Sequence, residues 1–310
     1  MLKMMFYMAP MEGLTGFTYR NAWAKFYKGI DKYFTPFIPA TVSRRFNTRE
    51  LRDVIKEHNT LGLNVIPQIL SNNAEAFNST ANRLLEMGYK EININLGCPS
   101  KTVVKSGRGA GFLSDREKLV KFLDEVFKNT APEISVKTRI GMHSEDEFKE
   151  LLHIYNSYPI KELIIHPRTG VQMYSGKPSL TAFDQAVERA KIPLCYNGDI
   201  FTRDDFEIIT ERYKDLNAVM LGRGIIARPY IIENIKYGKK EDKSILKSFH
   251  DEYFNINREL FGNDAIFRMK EMWTYFKVNF PNSDKQIKNI LKSKKISEYI
   301  CNTDKIFQNF

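Results

Sequence analysis

Cys98 stands between Gly97 and Pro99 in the run Asn95-Leu96-Gly97-Cys98-Pro99-Ser100-Lys101, and a basic, glycine-rich stretch, Ser106-Gly107-Arg108-Gly109-Ala110-Gly111, comes soon after it. Glycine and proline pin the backbone on either side of the thiol, and the later glycines let a cationic loop lie against a ligand without side-chain clash. A reactive cysteine needs an electropositive, partly exposed setting, and this one has it. In that reading a positioned thiol acts on an anionic substrate. The competing reading is a buried structural cysteine, the commoner fate of a free one.

Other residues of chemical interest recur along the chain as Pro10-Met11-Glu12-Gly13, Gln68, Lys137 with Arg139, His166 with Arg168, Asn197-Gly198-Asp199 and Gly222-Arg223-Gly224. Each has a plain use as well: Gln68 could cap a strand, Lys137 could snorkel, and His166 could be structural. Cys98, Cys195 and Cys301 lie far apart without metal-ligand spacing, so a zinc site or a disulfide framework is not expected and a reducing compartment is. No acid pair at suitable spacing and no Ser-His-Asp series supports hydrolysis.

The elements that must hold these residues are short apolar runs with helical stretches between them. Strands are predicted near Met4 to Ala9, Lys32 to Thr35, Asn64 to Ile69, Glu91 to Leu96, Glu133 to Thr138, Glu162 to His166, Pro193 to Asn197 and Ala218 to Leu221. The strand from Glu91 alternates polar and apolar residues, so it points side chains to two faces. Ser114-x-x-Glu117 and Ser144-x-x-Glu147 read as capping boxes, with Thr181-x-x-Asp184 and Thr202-x-x-Asp205 as looser versions. Eight strand-helix units over about 235 residues fit a (β/α)8 barrel better than a doubly wound sheet, which would carry a GxGxxG turn after its first strand.

In such a barrel function belongs at the carboxyl ends of the strands, which is where the candidate residues fall in series. The glycine turns after the last two strands, with Arg223, predict a cradle for a terminal phosphate. A phosphate cup together with a lysine at a buried strand end suits flavin mononucleotide, whose anionic reduced ring Lys137 would stabilise.

After Tyr237 the composition changes. Gly238-Lys239-Lys240-Glu241-Asp242-Lys243 reads as a charged linker, and the rest of the chain reads as helical, with apolar stripes Ile245/Phe249/Tyr253/Ile256/Leu260 and Ile266/Met269/Trp273/Phe276/Phe280. The expected organisation is a barrel over 1-238 and a helical domain over 239-310. Lys285, Lys288, Lys292, Lys294 and Lys295 form a run without an acidic residue, facing either phosphates or water. The formal charge of +10 and a pI near 9.3 suit a polyanionic partner, although a lysine-rich genome would give the same excess. The apolar opening Met1 to Pro10 is too short to span a bilayer, so the chain is expected in the cytoplasm, as a monomer.

Six blocks together carry a family resemblance: Ala9-Pro10-Met11-Glu12-Gly13-Leu14-Thr15, Asn95 to Ser100, Lys137-Thr138-Arg139, His166-Pro167-Arg168-Thr169, Asn197-Gly198-Asp199-Ile200 and Gly222-Arg223-Gly224. In order and across nearly the whole chain they resemble the tRNA-dihydrouridine synthases. Ser100-Lys101-Thr102-Val103 with Ser106-Gly107 is most similar to the bacterial C-type subgroup. The resemblance implies a barrel that binds FMN, a helical tRNA-binding domain, and NADPH as reductant. It implies that a hydride reaches C6 of a tRNA uracil and that Cys98 gives a proton to C5 from the opposite face. It places Pro10, Met11, Glu12, Gln68, Lys137, His166, Asn197, Gly198, Asp199, Gly222 and Arg223 against the cofactor. Asn95, Lys101, Arg139, Arg168 and Tyr174 fall on the substrate side. The rival readings are a flavin barrel acting on a free pyrimidine, such as a dihydroorotate or dihydropyrimidine dehydrogenase, and a non-catalytic RNA-binding protein on the same scaffold.

Overall fold

The computed structural model describes residues 4–40, 42 and 46–308, so the first three residues of the apolar opening lie outside it. Ten strand segments, all parallel, form one sheet: β1 (Met5–Met8), β2 (Lys32–Phe34), β3 (Ile38–Pro39), β4 (Val65–Ile66), β5 (Gln68–Leu70), β6 (Glu91–Leu96), β7 (Glu133–Arg139), β8 (Leu163–His166), β9 (Leu194–Tyr196) and β10 (Ala218–Leu221). Their order is β3-β5-β6-β7-β8-β9-β10-β1-β2-β4. The two ends are halves of neighbouring strands. Pro67, which has no N–H to donate, separates β4 from β5, and the stretch Thr35 to Phe37 separates β2 from β3. β2 pairs β4 through Tyr33↔Val65, and β3 pairs β5 through Ile38↔Ile69, so the sheet closes on itself as an eight-stranded barrel.

Alternation along each strand divides two cores. Ile92, Ile94 and Leu96 of β6 and Val136 of β7 face outward into a large cluster shared with the surrounding helices. Tyr7, Phe34, Ile66, Ile164, Cys195 and Met220 fill the barrel interior as a separate, smaller cluster. Below that inner cluster Lys32 Nζ lies 3.1 Å from both oxygens of Glu91 and 3.3 Å from Glu162, whose other oxygen accepts from Tyr7 at 2.8 Å. All of β6 is buried, so its polar face points not to water but into this lumen, where its residues bond across to neighbouring strands.

Two of the four capping signals stand. Ser144 with Glu147 and Thr202 with Asp205 form reciprocal boxes, the latter heading Arg203–Arg212. Helix Arg116–Asn129 is capped by Asp115 rather than Ser114, and Leu180–Arg189 by Ser179 rather than Thr181. In both cases a short side chain one or two residues away already reaches the orphan N–H, and Asp184 is engaged instead by Arg212 and Tyr213.

Beyond Gly238 the described chain is helical: Lys243–Phe261, Ala265–Phe276, Asp284–Lys292 and Ile296–Gln308. The buried stripe of the first runs Leu246, Phe249, His250, Tyr253, Phe254, Asn257, whereas Ile245 and Leu260 are exposed. The helix is therefore rotated from the apolar stripe expected of it, because it docks on Phe17–Phe26 of the barrel through Tyr19, whose ring meets Phe249 at 5.6 Å and Tyr253 at 5.3 Å. The second stripe, Ile266, Met269, Trp273, Phe276 and Phe280, is buried throughout. Outer barrel core and helical core are thus continuous. Phe249→Ala is expected to destabilise the whole chain by about 3 to 5 kcal/mol, the range for a truncated core phenylalanine. Chemical denaturation checks it, and a loss under about 1 kcal/mol would show that the helical region packs independently.

Candidate active site

The strand register brings the candidate residues to one end of the barrel. Asn95 of β6 pairs with Lys137 of β7, and Arg139 pairs with His166 of β8. Asn95 then does two jobs with one amide. Its Oδ1 accepts the N–H groups of Gly97 at 3.0 Å and Cys98 at 2.9 Å, which turns the chain sharply and aims the thiol. Its Nδ2 donates to Gln68 at 2.7 Å, and Gln68 donates in turn to Asn93, which reaches Ser135 at 3.0 Å. The far side of the turn is held by Arg139, whose Nε donates to the Gly97 carbonyl at 2.9 Å, and by Ala110 N–H on the Cys98 carbonyl at 3.0 Å. Gly109, at φ +56°, leaves no room there: a Cβ would sit 2.7 Å from the Cys98 carbonyl oxygen.

Cys98 lines a cavity of about 310 Å³ with Asn95, Lys137, Arg139 and Tyr174. Burial pushes its thiol above the ordinary range, against the opposing pull of the Ser100 N–H, Arg139 and Lys137. At neutral pH it is a thiol, a proton donor rather than a nucleophile. Burial and the neighbouring Arg139 lower the Lys137 ammonium to about 8, and burial lowers Arg139 to about 10. Both respond to any anion placed beside them. His166 is held well below its usual range by burial and by the cations around it. Its Nε2 lies 3.1 Å from Arg168 Nη1, which can only donate, so the ring is neutral with its proton on Nδ1.

A smaller cavity adjoins the first, shares Pro10, Met11, Lys137, His166 and Tyr174 with it, and ends in a cup formed by Asn197, Gly198, Asp199, Gly222 and Arg223. Close approach builds the cup. A Cβ on Gly198 would collide with the Tyr196 ring and hydroxyl, and one on Gly224 would collide with the Ile200 carbonyl. Asp199 receives Arg168 at 2.6 Å and Arg223 at 2.5 Å, and the two guanidinium groups hold its carboxyl below the ordinary range. One carboxylate cannot neutralise two arginines, so the cup keeps a positive excess. Two cations lie against the Tyr174 ring, Arg223 at 4.7 Å and Arg139 at 5.6 Å from its centre.

Not every expected residue reaches a cavity wall. Gln68 is fully buried beneath Asn95. Arg168, 1 % exposed, is committed to Asp199, His166 and the carbonyls of Ser175 and Gly176. Lys101 is exposed and lines neither cavity, and Glu12 lines the larger of these two but not the smaller. Conversely, Glu271 and Tyr275 of helix Ala265–Phe276 line the Cys98 cavity, as do Phe37 and Met173. Glu271 and Tyr275 lie one turn apart, off the buried Met269/Trp273/Phe276 stripe, and that offset is the signal that could have found them.

Barrel topology, a thiol kept protonated, a cationic strand end and a glycine-arginine cup together define a flavin-dependent oxidoreductase of the (β/α)8 class. Solved structures with the same fold include morphinone reductase, at a TM-score of 0.55 and 12% identity over 80% of this chain and 89% of that one. The old yellow enzyme from Trypanosoma cruzi gives 0.56 and 10% identity over 78% and 90%. Residues 7–293 match the model of the dihydrouridine synthase family, and the chain belongs to that family. Among its relatives, a probable tRNA-dihydrouridine synthase of Staphylococcus aureus is 28% identical over 88% of this chain and 83% of its own. tRNA-dihydrouridine synthase B of Pasteurella multocida is 25% identical over 82% and 76%.

The raised Cys98 pKa has a direct readout. Alkylation of Cys98 by iodoacetamide, monitored by mass spectrometry against the exposed Cys301, should be slow at neutral pH and rise only above the ordinary thiol range. A midpoint below that range would mean a thiolate at rest and remove the proton-donor reading.

Proposed function

We propose that this protein reduces the C5–C6 double bond of a D-loop uridine in tRNA, with FMN as cofactor and NADPH as reductant. The observation that carries the reading is that a thiol held protonated shares one cavity with Asn95, Lys137 and Arg139, and that this cavity opens into a cationic cup. The cup suits a terminal phosphate in charge: Arg223 supplies a charged fork, and the Cβ positions of Gly198 and Gly224 are filled by Tyr196 and the Ile200 carbonyl, so that the two turns pack closely. Pro10, Met11, Lys137 and His166 line the passage from cup to thiol, where an isoalloxazine ring would lie. Glu12 stands at its outer edge.

When bound, FMN supplies the hydride that reaches C6, taken from the nicotinamide. The residues of this chain supply the rest. Cys98 delivers the proton to C5, which balances the added hydride, and regains a proton from solvent afterwards. Lys137 places positive charge where the reduced ring carries negative charge. Arg139 and Tyr174 meet the uracil edge, and Asn95 meets it through the second N–H of its amide while orienting the thiol. Gln68 acts through Asn95, and Arg168 acts through His166 and Asp199. A uracil in folded tRNA must be extruded to enter such a mouth. Residues 1-238 therefore carry the chemistry and 239-310 grip the RNA, with Lys101 at the rim. Lys285, Lys288, Lys292, Lys294 and Lys295 are all exposed and form a cationic face that a free-pyrimidine enzyme would not need.

Two variants separate chemistry from cofactor binding. Cys98→Ala should keep its flavin and lose on the order of a hundredfold or more in dihydrouridine formation on unmodified tRNA. Unchanged turnover would end the assignment of Cys98 as acid. Arg223→Ala removes a charge-assisted contact of about 1.5 to 3 kcal/mol and should weaken flavin retention by roughly tenfold or more. Wild-type flavin affinity in that variant would place the phosphate elsewhere.

A further inference from the structure

A cavity of about 380 Å³ lies beside the catalytic one, and the two share Glu12 and Phe37. Its floor is the loop after β1 and the start of helix Phe17–Phe26, and its roof is Phe261 and Arg268 of the helical region. Two of its carboxylates are already used. Asp53 accepts from the Phe17 N–H at 2.6 Å and pairs with Arg20 at 3.2 Å, while Glu50 accepts from the Asn47 N–H at 2.9 Å. Arg52 and Arg268 lie over the ring of Phe261, at 5.3 and 4.1 Å from its centre; Arg52 Nε also donates to the Thr48 carbonyl at 3.3 Å, and Arg268 acts on the Glu271 carboxyl through its charge. Both are half-buried.

Planar cations held against an aromatic ring offer flat, charged faces in a hollow large enough for a small ligand. Unstacked RNA bases bind on such surfaces, lying on guanidinium planes or aromatic rings while the cation meets the adjoining phosphate. Extruding a uridine also unstacks its neighbours, and a wall shared with the uracil cavity brings the next base within reach of this one. We propose that this cavity receives the base of the nucleotide adjacent to the uridine that is reduced. The proposal rests on the tRNA reading above and adds a second base subsite to it, formed by barrel rim and helical region jointly.

The test uses the full-length holoenzyme and tRNA transcripts carrying an abasic residue on the 5′ or the 3′ side of the target uridine. One of the two should bind wild type roughly tenfold more weakly than intact tRNA, the size of one lost stacking contact. The double variant Arg52→Ala/Arg268→Ala should bind intact and abasic tRNA alike, with flavin content showing that the barrel is intact. Arg268→Lys should keep the salt dependence of binding yet lose most of the base dependence, since lysine retains the charge without the plane. Equal wild-type affinity for intact and both abasic tRNAs would overturn the subsite, and so would a base penalty that survives in the double variant. A variant effect confined to NADPH-driven flavin reduction would give the cavity to the reductant and overturn it too. Absence of any tRNA binding by wild type would overturn the reaction itself, a result read before any variant is made.

Discussion

Asn95 joins the Cys98 turn to the barrel lumen with a single amide. A side chain that accepts two backbone N–H groups and donates to Gln68 cannot move without unpairing buried polar groups, which costs about 1 to 3 kcal/mol for each one left unsatisfied. Gln68, Asn93 and Ser135 extend the constraint across β5, β6 and β7. The thiol is therefore aimed by the sheet rather than by its own loop. Arg139 closes the arrangement from β7, holding the Gly97 and Thr169 carbonyls and so tying the Cys98 turn to the loop that carries Tyr174.

Much of this architecture is legible in the sequence, because closed parallel barrels repeat a simple unit. Every strand expected from apolar runs is present within a residue or so, and Glu91–Leu96 and Ala218–Leu221 coincide with their expected bounds. What sequence could not show was tertiary. Periodicity does not say that both faces of β6 are buried, since alternation looks the same whether polar residues face water or a dry lumen. The apolar stripe in Lys243–Phe261 was offset for a related reason: Leu246 and Phe254 are as apolar as Ile245 and Ile256, and only docking on Tyr19 decides which line turns inward. Arg168 illustrates a limit at the site. Its type and place after β8 suggest a ligand contact, yet it is spent on Asp199, His166 and two carbonyls, and the carboxylate among them is distant in sequence.

The helical region forms part of the wall of the Cys98 cavity, not an attachment behind it. Glu271 and Tyr275 line the cavity of Cys98, and a Cβ on Gly13, which has φ +77°, would lie 2.8 Å from Glu271. Burial raises the Glu271 carboxyl and Arg268 opposes that rise. Whatever positions the helical region thus also shapes a wall of the Cys98 cavity, because the two are joined through the core around Tyr19, Phe249 and Tyr253.

The charged layer of Lys32, Glu91, Glu162 and Tyr7 has a consequence for proton traffic. Above it, Cys195, Ile164 and Met220 are wholly inaccessible to solvent, so the lumen is packed closed on its amino-terminal side. In the proposed reaction, a proton given up by Cys98 is replaced from the open cavity that Cys98 lines, the side from which substrate enters.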